Sequence, residues 1–139
     1  LSFLQFTDHL KHALPENLTE VVSLSVAQLM DNGYERVQHE RLSLKLGFSE
    51  DWVREVLSLS SNGHGALSKQ ELLVQRLAIA AIDRKGHDVV QELEPVVQSL
   101  GPAMTIAILM LIGRYVSHAM IANALNLAPP VPSPLEMKS

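Results

Sequence analysis

Residues 31–50 read DNGYERVQHERLSLKLGFSE. Four side chains in this stretch share one face of an α-helix because they recur at intervals of four, three and four: Glu35, His39, Leu42 and Leu46. Gly47 can adopt the left-handed turn that ends a helix, and Lys45 before it suits the helix C-terminus. Ser49 is a candidate N-cap for the next helix. The stretch therefore predicts a helix over residues 34–46 and another that begins at position 50.

The same helical spacing extends over the rest of the chain. Apolar residues recur three and four positions apart and aromatic residues make up only 4% of the sequence, so strands are not expected. Residues 17–20 and 68–71 have the form of capping boxes, and Gly86 is a further stop signal. Pro95 is expected to kink or split the sixth helix. The predicted helices cover residues 3–13, 18–31, 34–46, 50–59, 69–84, 88–100 and 102–125.

The predicted fold class is all-α, a single-domain multi-helix bundle. A chain of 139 residues with 47% hydrophobic content can bury a core without disulfides or a structural metal. We expect a helical domain over residues 1–127 and a proline-rich tail over 128–139 that lies extended on the body or on a neighbour. An apolar face on the last helix suggests a homo-oligomer: Met104, Ile108, Leu111 and Tyr115.

Composition excludes several classes of function. Cysteine is absent, which excludes a disulfide framework, a thiolate metal site and a cysteine nucleophile. The formal net charge is -4 and no run of lysine and arginine occurs, so no nucleic-acid partner is expected. The most apolar stretch, 102–113, is shorter than the roughly 20 residues of a spanning helix, so we predict a buried helix and no membrane association. No signal peptide is visible, although the chain begins with Leu1, and a cytoplasmic location is expected.

Glu35 and His39 are the candidate acid/base pair. A carboxylate four residues before a histidine can accept its ring proton and raise its basicity, as in a general base in a dry cleft. Burial and the carboxylate act on the pKa of His39 in opposite directions, and we expect the carboxylate to prevail. Such pairs are also common as purely structural features of helices, which is the alternative interpretation. Arg36 and Glu40, on another face, are expected to form an ordinary ion pair in solvent.

Other polar and aromatic residues give weaker signals. Apart from His9 and His12, three positions apart, the histidines show no ligand spacing, so neither a metal site nor a cofactor is expected. Tyr34 and Trp52 are most simply aromatics of the core or of a groove. His118 on the last helix is kept as a candidate site residue.

Residues 31–40 resemble the signature segment of the alkylhydroperoxidase D / carboxymuconolactone decarboxylase family, which commonly reads Asn-Cys-x-Tyr-x-x-x-x-His. Residues 46–50 resemble the short Gly-Leu-Ser-Glu turn of that family, and residues 112–127 its closing helix with an Asn-Ala-Leu finish. The similarity covers residues 18–130. It implies an all-α bundle that forms an oligomer, often a trimer or hexamer, with a cleft between helices.

In peroxidase members of this family a glutamate, two cysteines three positions apart and a histidine form a proton relay to the attacking thiol. Glu20 matches the glutamate and His39 the histidine, whereas Asn32 and Glu35 stand where the cysteines would be. The capping box at residues 17–20 offers a simpler, structural explanation for Glu20. The resemblance implies a relay without its thiols, so peroxidase chemistry is not expected.

The resemblance further implies a decarboxylase-like lyase that acts without a cofactor on a small organic acid or lactone. In this hypothesis His39 is the general base or acid, Glu35 orients it, and Glu20 is a second carboxylate for proton transfer. The expected substrate contacts are Asn32, Tyr34 and His118. The alternative, favoured by the missing cysteines, is a catalytically lapsed oligomeric binding or scaffold protein. Convergence of Glu20, Glu35 and His39 on a cavity of roughly 300 Å³ or more would favour the lyase, whereas quenching of these groups by neighbouring side chains would favour the scaffold.

Overall fold

The computed structural model describes residues 2–136, apart from the side chains at positions 3, 4, 7 and 11. Within that range the chain forms seven α-helices and no strand, which confirms the predicted all-α class. The helices are α1 (Ser2–Ala13), α2 (Glu16–Leu29), α3 (Gly33–Lys45), α4 (Glu50–Ser58), α5 (Lys69–Asp83), α6 (Val90–Leu100) and α7 (Pro102–Ala124). Each lies within two residues of its predicted bounds. Leu1 and the last three residues of the predicted tail are outside the described range.

Helix α2 is the centre of the bundle and packs against α3, α4, α5 and α7. Its apolar side chains are buried along almost its whole length, and they meet Ile108, Leu111 and Tyr115 of α7 in one core. The interpretation of that α7 face as a contact between chains is therefore wrong, because α2 of the same chain covers it. The exposed apolar side chains of α7 are others: Ile106, Leu109, Met110, Met120 and Ile121.

Helix α7 contains 23 residues and is long and apolar enough to cross a membrane by length and composition alone. Its most apolar window has a mean hydropathy of 1.6, and 44% of that window is buried inside the protein. In the stretch 102–113, predicted as a buried helix, the buried residues are Thr105, Ala107, Ile108, Leu111 and Ile112. One face of α7 is therefore part of the core, and the other face is exposed.

Two of the three predicted N-terminal capping motifs are confirmed. The hydroxyl of Ser49 accepts a hydrogen bond from the backbone N–H of Trp52, and residues 68–71 form a complete capping box at α5. The capping box predicted at residues 17–20 is wrong. Helix α2 begins at Glu16, with Pro15 at the N-cap, so Asn17 lies inside the first turn.

Pro95 was expected to kink or split α6, and the split is wrong because one helix, Val90–Leu100, runs through this proline, whereas the kink stays a prediction. Proline removes one backbone hydrogen bond, but packing of α6 on both α5 and α7 maintains the helix. The helix starts two residues later than predicted because Lys85 and Asp88 adopt left-handed backbone conformations, with φ of 57° and 54°.

The proline-rich tail folds back over α3 and α4. Its residues Ser133 and Leu135 are buried, and Arg54 Nη2 donates a hydrogen bond to the carbonyl oxygen of Leu135 at 3.0 Å. The Ser133 hydroxyl donates to Glu40 Oε2 at 2.5 Å, while Arg36 Nη1 binds Glu40 Oε1 at 2.6 Å. The expectation that Arg36 and Glu40 pair in solvent is wrong, because the tail covers Glu40 completely.

Glu71 joins the start of α5 to α2 and α4, and its loss is expected to destabilise the fold. Its buried carboxylate accepts hydrogen bonds from the Ser68 backbone at 2.8 Å, Trp52 Nε1 at 3.1 Å and Asn17 Nδ2 at 3.0 Å. Burial opposes the charge, but these donors prevail and lower the pKa of Glu71. We expect Glu71→Gln to reduce the free energy of unfolding in urea at neutral pH by about 2 kcal/mol, because one acceptor becomes a donor facing other donors. Glu94→Gln, the same change at an exposed position, is the control, and equal effects would contradict the prediction.

Candidate acid/base site

Helices α2, α3 and α7 bring five polar or aromatic side chains together. Glu20 comes from α2, Glu35 and His39 from α3, and Tyr115 and His118 from α7. Within α3 and α7 the members of each pair are four and three residues apart, so they lie on the same face of their helix. The three faces meet where α2 packs against α3 and α7.

Glu20 makes the shortest contact in this cluster. His39 Nδ1 donates to Glu20 Oε2 at 2.7 Å, and the Ser23 hydroxyl donates to the same oxygen at 2.8 Å. Among the described residues, the other oxygen, Oε1, makes a single, longer contact, with His39 Nδ1 at 3.2 Å. Because the two short bonds converge on Oε2, Oε1 keeps lone-pair capacity for a further partner.

Glu35 binds the opposite side of the His39 ring. Its Oε2 lies 3.3 Å from His39 Nε2, and its Oε1 lies 3.3 Å from His118 Nδ1. Both ring nitrogens of His39 therefore face carboxylates. The sequence predicted Glu35 as the residue that orients His39, but the structure gives the shorter bond to Glu20.

The electrostatic environment makes His39 an acid at neutral pH. Burial disfavours its charged form, but the hydrogen bonds to Glu20 and Glu35 outweigh burial and raise the pKa of His39 to about 9. This is the direction expected from the sequence. The hydrogen bond from His39 lowers the pKa of Glu35 against the opposing effect of burial. At pH 7 His39 is thus an imidazolium that donates to two carboxylates.

Tyr115 packs edge-on against both imidazole rings. Its ring centroid lies 5.3 Å from that of His39 and 5.7 Å from that of His118. Burial raises the pKa of Tyr115, so its hydroxyl keeps its proton. Sequence reasoning identified neither Tyr115 nor Ser23 as site residues. The available signal was spacing, since each lies three residues from a predicted site residue, Tyr115 from His118 and Ser23 from Glu20.

A cavity of about 410 Å³ lies beside Glu20 and His39, and we name it the Glu20 cavity. Its lining residues are His12, Leu14, Pro15, Glu16, Thr19, Glu20, His39, Leu42, Leu46 and Tyr115. Half of these are apolar or aromatic, and Leu42 and Leu46 belong to the apolar face predicted around His39. The volume lies within the range of small-molecule sites.

A second cavity of about 230 Å³, which we name the His118 cavity, lies next to three of the other predicted site residues, Tyr34, Glu35 and His118. It is lined by Tyr34, Glu35, His118, Ile121, Ala122 and Leu127. The predicted catalytic set is therefore divided, with Glu20 and His39 at one cavity and Glu35 at the other, so all three residues do not converge on a single cavity. Asn32 lines neither, because it is buried as the N-cap of α3, where its Oδ1 accepts from the Glu35 backbone at 3.2 Å.

Comparisons with protein-family models, with curated proteins and with solved structures each found no match. Within residues 2–136 there is also no group of three or more His, Cys, Asp or Glu residues that could hold a metal ion. Any functional assignment therefore depends on the side chains of the cluster and on the two cavities that they line.

Proposed function

We propose that this protein is a cofactor-independent acid/base catalyst in which Glu20 and His39 act on a small molecule in the Glu20 cavity. The observation that carries the proposal is the 2.7 Å contact between Glu20 Oε2 and His39 Nδ1 in the wall of a 410 Å³ cavity. Glu20 Oε1 is the atom best suited to exchange a proton with the ligand, because its only contact within the cluster is the longer one to His39. His39, protonated at neutral pH, supplies Glu20 with that proton.

A decarboxylase-like lyase reaction fits such a pair. When a carbon–carbon bond to a carboxyl group breaks, the electron pair stays on the remaining fragment and carbon dioxide leaves. A proton that passes from His39 through Glu20 to the carbanionic carbon completes the reaction. Leu14, Leu42 and Tyr115 give the cavity apolar walls, beside which the charges of Glu20 and His39 act more strongly on the developing anion than they would in bulk water.

The charges that line the cavity favour a lactone over a free organic acid. Glu16 and Glu20 contribute carboxylates, whereas the described lining residues that can carry positive charge are His12 and His39. A dicarboxylic acid would bring two negative charges to these carboxylates, whereas a lactone with one carboxylate brings a single charge and keeps the group that leaves as carbon dioxide. We therefore propose a small lactone that carries one carboxylate as the preferred substrate class and a small open-chain organic acid as the second.

The direct test is incubation with a panel of small lactone carboxylic acids and β,γ-unsaturated carboxylic acids, in which turnover is measured as carbon dioxide release and by mass spectrometry of the product. Glu20→Gln and His39→Gln are expected to lower kcat/KM by about 10²- to 10⁴-fold, the usual contribution of a positioned acid or base. Glu94→Gln, the same change at an exposed position that does not line the cavity, is the control. Full activity in Glu20→Gln would exclude the proposed role of this carboxylate.

Membership of the alkylhydroperoxidase D / carboxymuconolactone decarboxylase family is part of this proposal. It is supported by the placement of Asn32 at the N-cap and Glu35 in the first turn of α3, where that family carries its cysteines. The contact of Glu20 with His39 likewise corresponds to the family's relay. The double variant Asn32→Cys/Glu35→Cys should acquire thiol-dependent peroxide reduction, whereas the matched Ser/Ser variant should not. A folded but inert cysteine variant would count against the alignment.

A binding or scaffold protein is the second candidate function. It is favoured by the engagement of both His39 ring nitrogens with carboxylates, as in a buried structural ion pair, and by the absence of cysteine. This candidate predicts that a lactone or acid of the panel binds the Glu20 cavity without being converted. Calorimetric binding together with zero turnover would favour it over the lyase.

We also propose a homo-oligomer, a trimer or hexamer by resemblance to the family. The supporting observation is the set of exposed apolar side chains on α7, which includes Ile106, Met110 and Met120. Size-exclusion chromatography with light scattering at micromolar concentration is expected to give the mass of more than one chain. Ile106→Lys with Met110→Lys should then reduce the mass to that of one chain. A wild-type protein that elutes as a monomer would contradict the prediction.

A further inference from the structure

Carboxylates and imidazoles alternate in one continuous path between the two cavities. Glu20 lines the first cavity and contacts His39 at 2.7 Å, His39 contacts Glu35 at 3.3 Å, and Glu35 contacts His118 at 3.3 Å in the second cavity. We propose that Glu35 and His118 transfer protons between the Glu20–His39 pair and water in the His118 cavity. This inference rests on the proposed acid/base function and assigns His118 a role that the function alone does not require.

The surroundings of His39 leave one direction, toward Glu35, in which the proton on Nε2 can leave the ring. A ligand in the Glu20 cavity covers the side of the pair that is open to solvent, and Nδ1 is bound to Glu20. The side chain of His39 is only 12% exposed, so water has little direct access to the ring. Nε2 faces Glu35, which does not line the Glu20 cavity but does line the other. Proton return through Nε2 is therefore possible while a ligand is bound.

Each transfer step conserves protons and charge. In the imidazolium form both ring nitrogens of His39 carry a hydrogen. Nε2 gives its proton to Glu35 Oε2, and His39 becomes neutral while Nδ1–H stays bound to Glu20. The Glu35 carboxyl group turns about its terminal carbon–carbon bond and passes this proton to His118 Nδ1, and His118 releases its Nε2 proton to water. The reverse sequence returns a proton from water to His39 Nε2, and Glu35 is a carboxylate at the end of each sequence.

The two oxygens of Glu35 contact different imidazole rings, which supports a relay over a simple ion pair. An isolated pair with His39 would leave Oε1 to water, but here Oε1 contacts a second imidazole from another helix. The edge-on contacts of Tyr115 hold both imidazole rings at fixed orientations. Tyr115 itself keeps its proton, so it positions the relay and does not take part in the transfer.

The relay can be tested without a substrate by NMR of protein labelled with ¹⁵N-histidine. The exchange of each His39 ring N–H with water is measured separately, so the two routes are distinguished within one side chain. We expect His118→Phe, which keeps a ring against Tyr115, to slow exchange at Nε2–H by about tenfold or more and to leave Nδ1–H unchanged. Added imidazole, small enough for the 230 Å³ cavity, should restore the Nε2–H rate in this variant.

Leu127→Trp provides a second variant that keeps every relay residue. Leu127 is 46% exposed at the lining of the His118 cavity, so a larger side chain there can be tolerated and should also slow Nε2–H exchange. His87→Phe, far along the chain at an exposed position, is the control for histidine loss. Unchanged Nε2–H exchange in Leu127→Trp and His118→Phe, or equal slowing at both ring nitrogens, would overturn the relay. Failure of the lyase assay alone would leave these exchange rates unaffected.

Discussion

Glu20→Gln is expected to lower the pKa of His39 by about two units, and Glu35→Gln by about one unit. Both substitutions remove a charge and keep the shape of the side chain. Glu20 has the larger effect because its carboxylate binds Nδ1 at 2.7 Å, against 3.3 Å for Glu35 at Nε2. Each unit of pKa corresponds to about 1.4 kcal/mol of interaction between the carboxylate and the imidazolium. The pKa of His39, which is raised to about 9 in the wild type, would thus fall to about 7 in Glu20→Gln.

Titration of the His39 ring by NMR in the three proteins measures these differences directly. Glu16→Gln is the matched control, because Glu16 lies at the exposed rim of the same cavity and solvent screens its charge. Its effect on the pKa of His39 should be a small fraction of that of Glu20→Gln. A larger pKa shift from Glu35→Gln than from Glu20→Gln would mean that Glu35, and not Glu20, is the stronger partner of His39. No pKa shift in either variant would remove the basis of the acid/base proposal.

Local patterns predicted the helices well because their signals act within a few residues. Ser49, Ser68 and Gly47 mark ends that depend on backbone groups one turn away, and the structure confirms them. The start of α2 was misplaced because the Asn17 amide binds Glu71, 54 residues away, and not its own helix. Spacing cannot reveal such a partner.

The same limit explains which part of the site was predicted from residue spacing. Glu35 and His39 are four residues apart on one helix, so their contact follows from helix geometry. The stronger contact of His39, with Glu20, spans 19 residues, and the contact of Glu35 with His118 spans 83. Only the family resemblance connected Glu20 with His39. Nothing in the sequence connected His118 with Glu35.

For Arg36 and Glu40 the contact was predicted correctly, but the exposure of the pair to solvent was not. Their spacing is that of an ordinary surface pair, and the spacing itself is correct, with Nη1 and Oε1 at 2.6 Å. Their environment differs because Ser133 and Leu135 of the tail cover α3 and α4. A local pattern can thus predict a contact correctly while its burial depends on a segment more than 90 residues away.

The free energy of unfolding is expected to fall by about 3 kcal/mol between pH 6.5 and pH 9.5, because the folded protein binds a proton at His39 more tightly than the unfolded chain does. His39 titrates near 6.5 when unfolded and at about 9 when folded. Its stabilising contribution is therefore complete below the unfolded value and is lost as the pH rises through the folded value. The lowered pKa of Glu35 and of Glu71 acts in the other direction and removes stability only in acid.

Urea denaturation across this pH range tests the expectation. The informative variant is Glu20→Gln/Glu35→Gln, in which the pKa of His39 is no longer raised and no buried carboxylate loses its partner. Its free energy of unfolding should be nearly constant from pH 6.5 to 9.5, whereas the control Glu94→Gln should keep the wild-type slope. A wild-type stability that does not change over this range would mean that His39 is neutral in the folded protein. The imidazolium that donates to Glu20 and Glu35 would then be absent, and with it the source of the proton that the proposed reaction consumes.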